Sequence, residues 1–468
     1  MARQRMALAW AAALLAVPGA SAQTHPTVPG YSSRPGAAYT VYLDFGGFTF
    51  DGMWGNTGLT PGTTPFYTTQ SGSPTNFNAT DLVNIQNTWA RVAQSFAPFN
   101  VNVTTVDPAV SAGQAANDTT RQNYYDATAQ LMHTVVGGTG SWYGNAGGTS
   151  YVDVISFGGF TGGYHTNWTF SAVNGASSNL QFVGGVTSHE NGHAFGLHHQ
   201  SDYSGNTLVN EYSTNNSSAA IAPIMGDTYN GNGGNGALRG TWRSGDVHIT
   251  GGGKGSQNDA QVIQSNSGIG SFVDSGVGHS LATATAMGTT TTTIRPELAA
   301  GLITPANSTT PDPMGVGNYT TDYFSFSTTA AGDLSVTLHS GSQYVTTGVA
   351  DPGATFKGTL KLLNGLGVEL SSVTMTDLNL TATISMTNLP TGNYYLQILS
   401  SGGTLGNPDA GARYFDMGSY FLTGTGNFTP VPETATFVLT ALGLVATGGT
   451  RWRSQARRRS LTTLVTSV

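Results

Sequence analysis

Cysteine is absent from the 468 residues. That excludes disulfide staples, thiol catalysis, thiolate zinc ligands and any cysteine-based latency switch, so stability must come from core burial and bound ions. Charge is also scarce: 9% of residues are Asp, Glu, Lys or Arg, with 17 basic against 24 acidic side chains. Five of those basic residues (Arg451, Arg453, Arg457, Arg458 and Arg459) crowd the far C-terminus, leaving the body of the chain more acidic than the net −7 conveys. No basic face can be built from the remainder, which argues against nucleic acid as a partner. In place of charge come 64 glycines and abundant Thr, Ser and Asn. Such a composition suits strands, turns and long loops better than helical bundles.

The termini read as export signals. Arg3 and Arg5, an apolar run over residues 6–17 and Ala20-Ser21-Ala22 have the order of a signal peptide, with the mature chain beginning near Gln23. The run is too short for a comfortable membrane span. At the other end, Val431-Pro432-Glu433 precedes an apolar stretch over residues 435–449 and then the arginines. Physically this is a weak, transient membrane anchor with its basic end cytoplasmic. The order resembles the bacterial PEP-CTERM sorting signal, which implies an exosortase-type processing enzyme as partner. Thr434 stands where that family has a second proline. The expected location is extracellular or on a bacterial cell surface.

Between the ends, residues 23–37 are rich in Pro, Gly and Ser and read as a linker. Residues 38–47 alternate like a strand. Leu82, Ile85, Trp89, Val92 and Phe96 recur at steps of three and four, predicting a helix over 80–96. Strands are expected at 99–105, around "AQLMHTVVGG" and at 150–157, with an Asn/Asp-rich loop after the first of these. A second helix should run from about Gln181 to Gly196, a residue suited to a left-handed helix end. Residues beyond it, to about 275, read as irregular. From about 280 to 426, Thr/Ser-rich alternation broken by Gly and Pro turns predicts a β-sandwich.

Chemistry concentrates in "SHENGHAFGLHHQSD", residues 188–202. His189 and His193 lie four apart on one predicted helix, so their rings project from one face. Together they can share a Zn²⁺ at roughly 2.0–2.1 Å each. Glu190 can reach the same cleft without binding metal, taking a proton from water that zinc has acidified to a pKa of about 7 and later delivering it to a leaving amine. A third protein ligand is needed, and helical projection cannot choose between His198 and His199. Gly196 only explains how the chain reverses to bring either one back.

The stretch resembles the metzincin zinc-peptidase pattern H-E-x-x-H-x-x-G-x-x-H, whose last position falls on His199. The resemblance implies His189, His193 and His199 as zinc ligands, Glu190 as general base and acid, and Met225 of "APIMGD" as the methionine turn beneath the metal. A tyrosine two residues after that methionine, an extra ligand in some members, is replaced here by Asp227. "VYLDFGG", "VAQSFAPFNVNVTT" and "GTWRSGD" look like secreted bacterial peptidases of that type. "TDYFSFSTTAAGDLSV" and "LPTGNYYLQI" resemble the bacterial pre-peptidase C-terminal domain.

The expected fold is α+β. A metzincin-like catalytic domain (38–274) with a mixed sheet and active-site helix precedes an all-β sandwich (275–428) and a sorting segment (429–468). The edge strand expected to hold an extended peptide is 150–157. Trp168 and Phe170 are weighed as cleft-lining or buried, with burial the commoner outcome. Asp44, Asp153, Asp259 and Asp274 are candidate Ca²⁺ ligands, although no EF-hand or repeat loop is present. His133, His165, His248, His279 and His339 are scattered. The expected function is hydrolysis of protein or peptide substrates. A surface or matrix protein that binds partners through a peptidase-like domain is the alternative, against which the intact Glu190 speaks.

Overall fold

A computed structural model describes residues 25–428, apart from 145, 214–220, 229–238, 250, 288–290, 295–298, 305–319, 342–353, 378, 402–412 and 415. The expected signal peptide and sorting segment lie outside the described residues. Among those residues, no helix is long and apolar enough to cross a membrane. The architecture is mostly β, with several sheets.

The N-terminal half is built on a five-stranded sheet of β1 (Tyr39–Asp44), β2 (Val101–Thr104), β3 (Leu131–Val136), β4 (Gly148–Thr149) and β5 (Thr166–Thr169) in the order β2-β1-β3-β5-β4. All neighbours are parallel except the edge strand β4, which runs antiparallel to β5. Alternation along β1 sends Val41 and Leu43 into one core and Tyr42 into another. The first core is covered by α1 (Ala79–Phe96) and α3 (Leu180–Ala194); on the second face lie α2 (Asp118–Ala127) and a cluster of Trp54, Trp168 and Phe170. Asn78 and Asp81 cap α1 reciprocally, and Ile85, Trp89, Val92 and Phe96 form its buried stripe. Leu82, expected in that stripe, is exposed.

Several expectations need correction. The Asn/Asp-rich loop contains α2, capped by Asn117, whose buried face is the polar set Asp118, Arg121, Gln122, Tyr125 and Asp126. Residues 150–157 do not form a strand. They cover the end of α3 instead: Asp153 donates its backbone N–H to His193 O (2.9 Å), and Val154 and Ile155 donate to Ala194 O. Helix ends leave carbonyls that need such donors. The expected linker is packed as well. Tyr31 stacks on Trp89 at 4.9 Å, and Ser32 bridges to Thr104 along the sheet edge, an arrangement that hides unpaired backbone groups.

The region expected to be irregular holds β6 (His199–Gln200), β7 (Ile221–Pro223), β8 (Arg239–Thr241), β9 (Arg243–Ile249), β10 (Gly253–Asn258) and α4 (Asp259–Ser265). Here β9 pairs with both β10 and β6, while β7 and β8 run parallel.

Beyond residue 280 the expected Thr/Ser-rich alternation forms strands, and three short strands over 285–303 add to them. One sheet contains β11 (Thr285–Ala286), β14 (Thr321–Thr328), β16 (Gly358–Asn364), β17 (Glu369–Thr374) and β19 (Gly392–Ser400), ordered β11-β14-β19-β16-β17. The other contains β12 (Thr291–Ile294), β13 (Ala300–Ile303), β15 (Gly332–Ser340), β18 (Thr381–Leu389) and β20 (Gly418–Phe428), ordered β12-β20-β15-β18 with β13 also on β20. Side chains of both sheets share one core, including Phe326, Val336, Leu360, Ile384, Leu396 and Leu422, as in a β-sandwich. This half is joined to the first. The Arg239 guanidinium, fully buried, donates to Asp377, Asp416 and Thr355 O of the sandwich, and Met417 packs into the N-terminal core.

Candidate metal centre

His189 and His193 sit on α3, whose first turn is capped by the Asn179 side chain and whose end is broken at Gly196 (φ +100). This is the left-handed conformation that glycine adopts without strain. The break reverses the chain and returns His199 to the helix. Potential ligand atoms of His189, His193 and His199 lie within 4.8 Å of one another. His198 is not in this group, and its backbone N–H is taken by Gln257 Oε1. Helical projection leaves the two histidines open; in the structure His199, the one the resemblance implies, joins the group.

The outer nitrogens fix the tautomers. His189 Nδ1 lies 2.8 Å from Ile224 O, and His193 Nδ1 lies 2.6 Å from Leu197 O. A carbonyl only accepts, so both rings carry their proton on Nδ1. His199 Nδ1 likewise faces the Glu211 carboxylate at 2.7 Å. All three Nε2 atoms are then bare lone pairs pointing inward. The 3.0 Å between His193 Nε2 and His199 Nε2 is therefore no hydrogen bond, because neither atom holds a proton to share. Three convergent imidazole lone pairs without a proton fit a divalent metal bound by nitrogen. Burial and mutual repulsion depress the basicity of all three: His189 and His193 fall to about 3 and His199 to about 4.

Glu190 is buried, and burial pushes its carboxyl well above the usual range. It faces the sheet edge at Gly148, where a Cβ would come within 2.6 Å of Glu190 Oε1 and 2.5 Å of Trp168 O. Only glycine lets β4 approach so closely. Met225 lies beneath the helix, fully buried, and a Cβ on Gly192 would fall within the 3.0 Å of its Sδ that real Cβ contacts do not enter. Met225 O accepts from Gln200 N (2.9 Å), tying this turn to the strand of His199.

Sequence reasoning missed Glu211 and Tyr212. The Tyr212 ring centroid lies 4.4 Å from that of His199 and 6.0 Å from that of His189. The other candidates lie elsewhere. Trp168 and Phe170 are fully buried. The four aspartates do not gather as a metal-binding group among the described residues. Asp44 accepts from Gly46 N and faces His133, Asp259 accepts from Gln200, Gln257 and Arg243 N, and Asp274 accepts from Gly276 N. Asp153 has its backbone N–H on His193 O. The scattered histidines have local partners, among them Tyr125 O and Val154 O for His165 and Thr423 for His339.

Comparison with known proteins adds little. No family model matches the chain, and no curated protein matches it. Among solved structures, the chain is similar to the pre-peptidase C-terminal domain of a collagenase from Bacillus anthracis, at 14% identity and a TM-score of 0.15. That match covers 22% of this chain and 76% of the other. A CBM35 module of Abf62 from Cellvibrio japonicus matches at 16% identity and a TM-score of 0.17, covering 29% and 92%. Likenesses at these scores carry no argument about function.

Proposed function

We propose that the chain is an exported zinc-dependent endopeptidase of metzincin type. In this reading the sandwich is a pre-peptidase C-terminal-like domain and the terminal segment a PEP-CTERM-like sorting signal. The observation that carries the proposal is the convergence of His189, His193 and His199, whose potential ligand atoms lie within 4.8 Å of one another, with buried Glu190 next to His189 on the same helix. His189, His193 and His199 would hold the metal, which when bound supplies Lewis acidity to polarise a peptide carbonyl and acidify water. Glu190 takes the proton from the attacking water and returns it to the departing amine. Its burial suits that role, since a carboxyl with raised proton affinity both accepts and holds the proton. The edge strand β4 gives a peptide main chain somewhere to pair in extended form alongside Glu190.

Glu190→Gln tests the assignment. The variant should bind zinc as the parent does while casein cleavage falls by about 10²–10⁴-fold, the range for lost general acid–base catalysis. Equal cleavage by both proteins overturns the mechanism.

A further inference from the structure

His189 and His193 are placed by the helix, but His199 lies beyond it and needs support of its own. That support comes from residues 211–213. Ser201 Oγ donates to Glu211 O at 2.5 Å, and Ser213 N donates to Gln200 O at 2.8 Å. Ser213 O accepts from Asp227 N at 3.0 Å, and Arg243 Nη1 donates to Ser213 Oγ at 2.7 Å. The stretch is thereby stitched between the strand of His199 and the turn of Met225, in a chain of contacts that fixes Glu211 behind the ring.

We propose that Glu211 is a positioning residue that sets the metal affinity of this site by holding His199 with Nδ1 protonated and Nε2 free. The inference rests on the metal-site reading above. The outer hydrogen bonds differ: His189 and His193 donate to neutral backbone carbonyls, whereas His199 donates to a carboxylate. A charged acceptor makes the stronger hydrogen bond and leaves the imidazole richer in electrons, so its far nitrogen donates better to a metal. Glu211 itself stands outside the ligand group and acts only through His199. Tyr212 lies across the same ring and limits its rotation about the Glu211 bond.

The test compares the full chain with Glu211→Gln and Glu211→Ala. Zn²⁺ is titrated against a chromophoric chelator, and the metal-free proteins are melted to check the fold. Glu211→Ala should weaken zinc binding by about 10–100-fold, and Glu211→Gln, which keeps a neutral acceptor, should fall between it and wild type. The loss should vanish in a His199→Ala background, where a general loosening of the fold would persist. Binding by both variants within about twofold of wild type overturns the role of Glu211 while leaving the metal site standing. A wild-type chain that binds no zinc overturns both readings. If the alanine variant fails to fold, the glutamine variant decides alone: undiminished affinity refutes the proposal.

Discussion

Replacing Gly192 by alanine sets two opposed effects against each other. In a helix interior the change alone stabilises by about 1 kcal/mol. At this position the new methyl would press on Met225 Sδ, with Leu197 Cδ1 at 3.3 Å and Trp242 Cζ3 at 3.4 Å closing the other sides. Met225 is fully buried, so its sulfur cannot swing into solvent. Forcing a methyl into such packing costs about 1–3 kcal/mol. The net effect therefore runs from about neutral to about 2 kcal/mol of destabilisation. Coupling gives a sharper number. Met225→Ala alone should cost about 2–5 kcal/mol through the cavity it leaves. In the Gly192→Ala/Met225→Ala double variant the clash disappears and the methyl fills part of that cavity. The double should thus be about 1–3 kcal/mol less costly than the sum of the singles. Urea unfolding followed by tryptophan fluorescence measures this, since Trp242 lies at the contact. A Gly192→Ala protein about 1 kcal/mol more stable than wild type, with additive doubles, would show that Met225 does not underlie the helix.

Three further outcomes are expected. His199→Ala should weaken zinc binding by more than about 100-fold, beyond the range for an outer partner. His198→Ala should leave it within a few-fold; competition titration with the reverse ranking would refute the ligand set. Acid should compete poorly for the site. Three histidines at the ordinary value of about 6.5 would lose about 10³-fold in combined affinity at pH 5.5. With His189 and His193 at about 3 and His199 at about 4, the loss from these rings should stay under about twofold between pH 7.5 and 5.5. A 100-fold fall counts against it. The same depression makes these rings weaken the metal-free fold as pH drops below about 6.5, because the unfolded histidines take up protons first. Finally, Arg239→Ala should destabilise by about 1–3 kcal/mol in thermal or urea melts, since Asp416 loses its buried donor and keeps Ser401 with Lys357 at 3.9 Å; a change under about 0.5 kcal/mol would contradict the buried contact.

The sandwich strands were legible because alternation and Gly/Pro turns coincide, as along Thr321–Thr328 and Gly332–Ser340, consecutive strands that fall in opposite sheets. Helix α3 was legible through its histidine spacing and Gly196. The polar buried face of α2 defeated the search for an apolar stripe: Asp118 and Arg121 bury themselves by pairing with each other, a relation that periodicity does not see. Residues 150–157 alternate like a strand, yet their backbone donors serve the end of α3, a tertiary demand with no local signal. Glu211 lies 12 residues from its partner histidine in a polar stretch that resembles any loop.

Arg239 has a consequence for how the molecule comes apart. Its charge has no solvent-facing surface, and its partners belong to the other half of the chain. Once the halves part, water takes up both charges, so this ion pair adds little to how firmly they hold. After a nick near residue 275, the fragments would be held by apolar packing such as that of Met417 in the N-terminal core rather than by the buried charges.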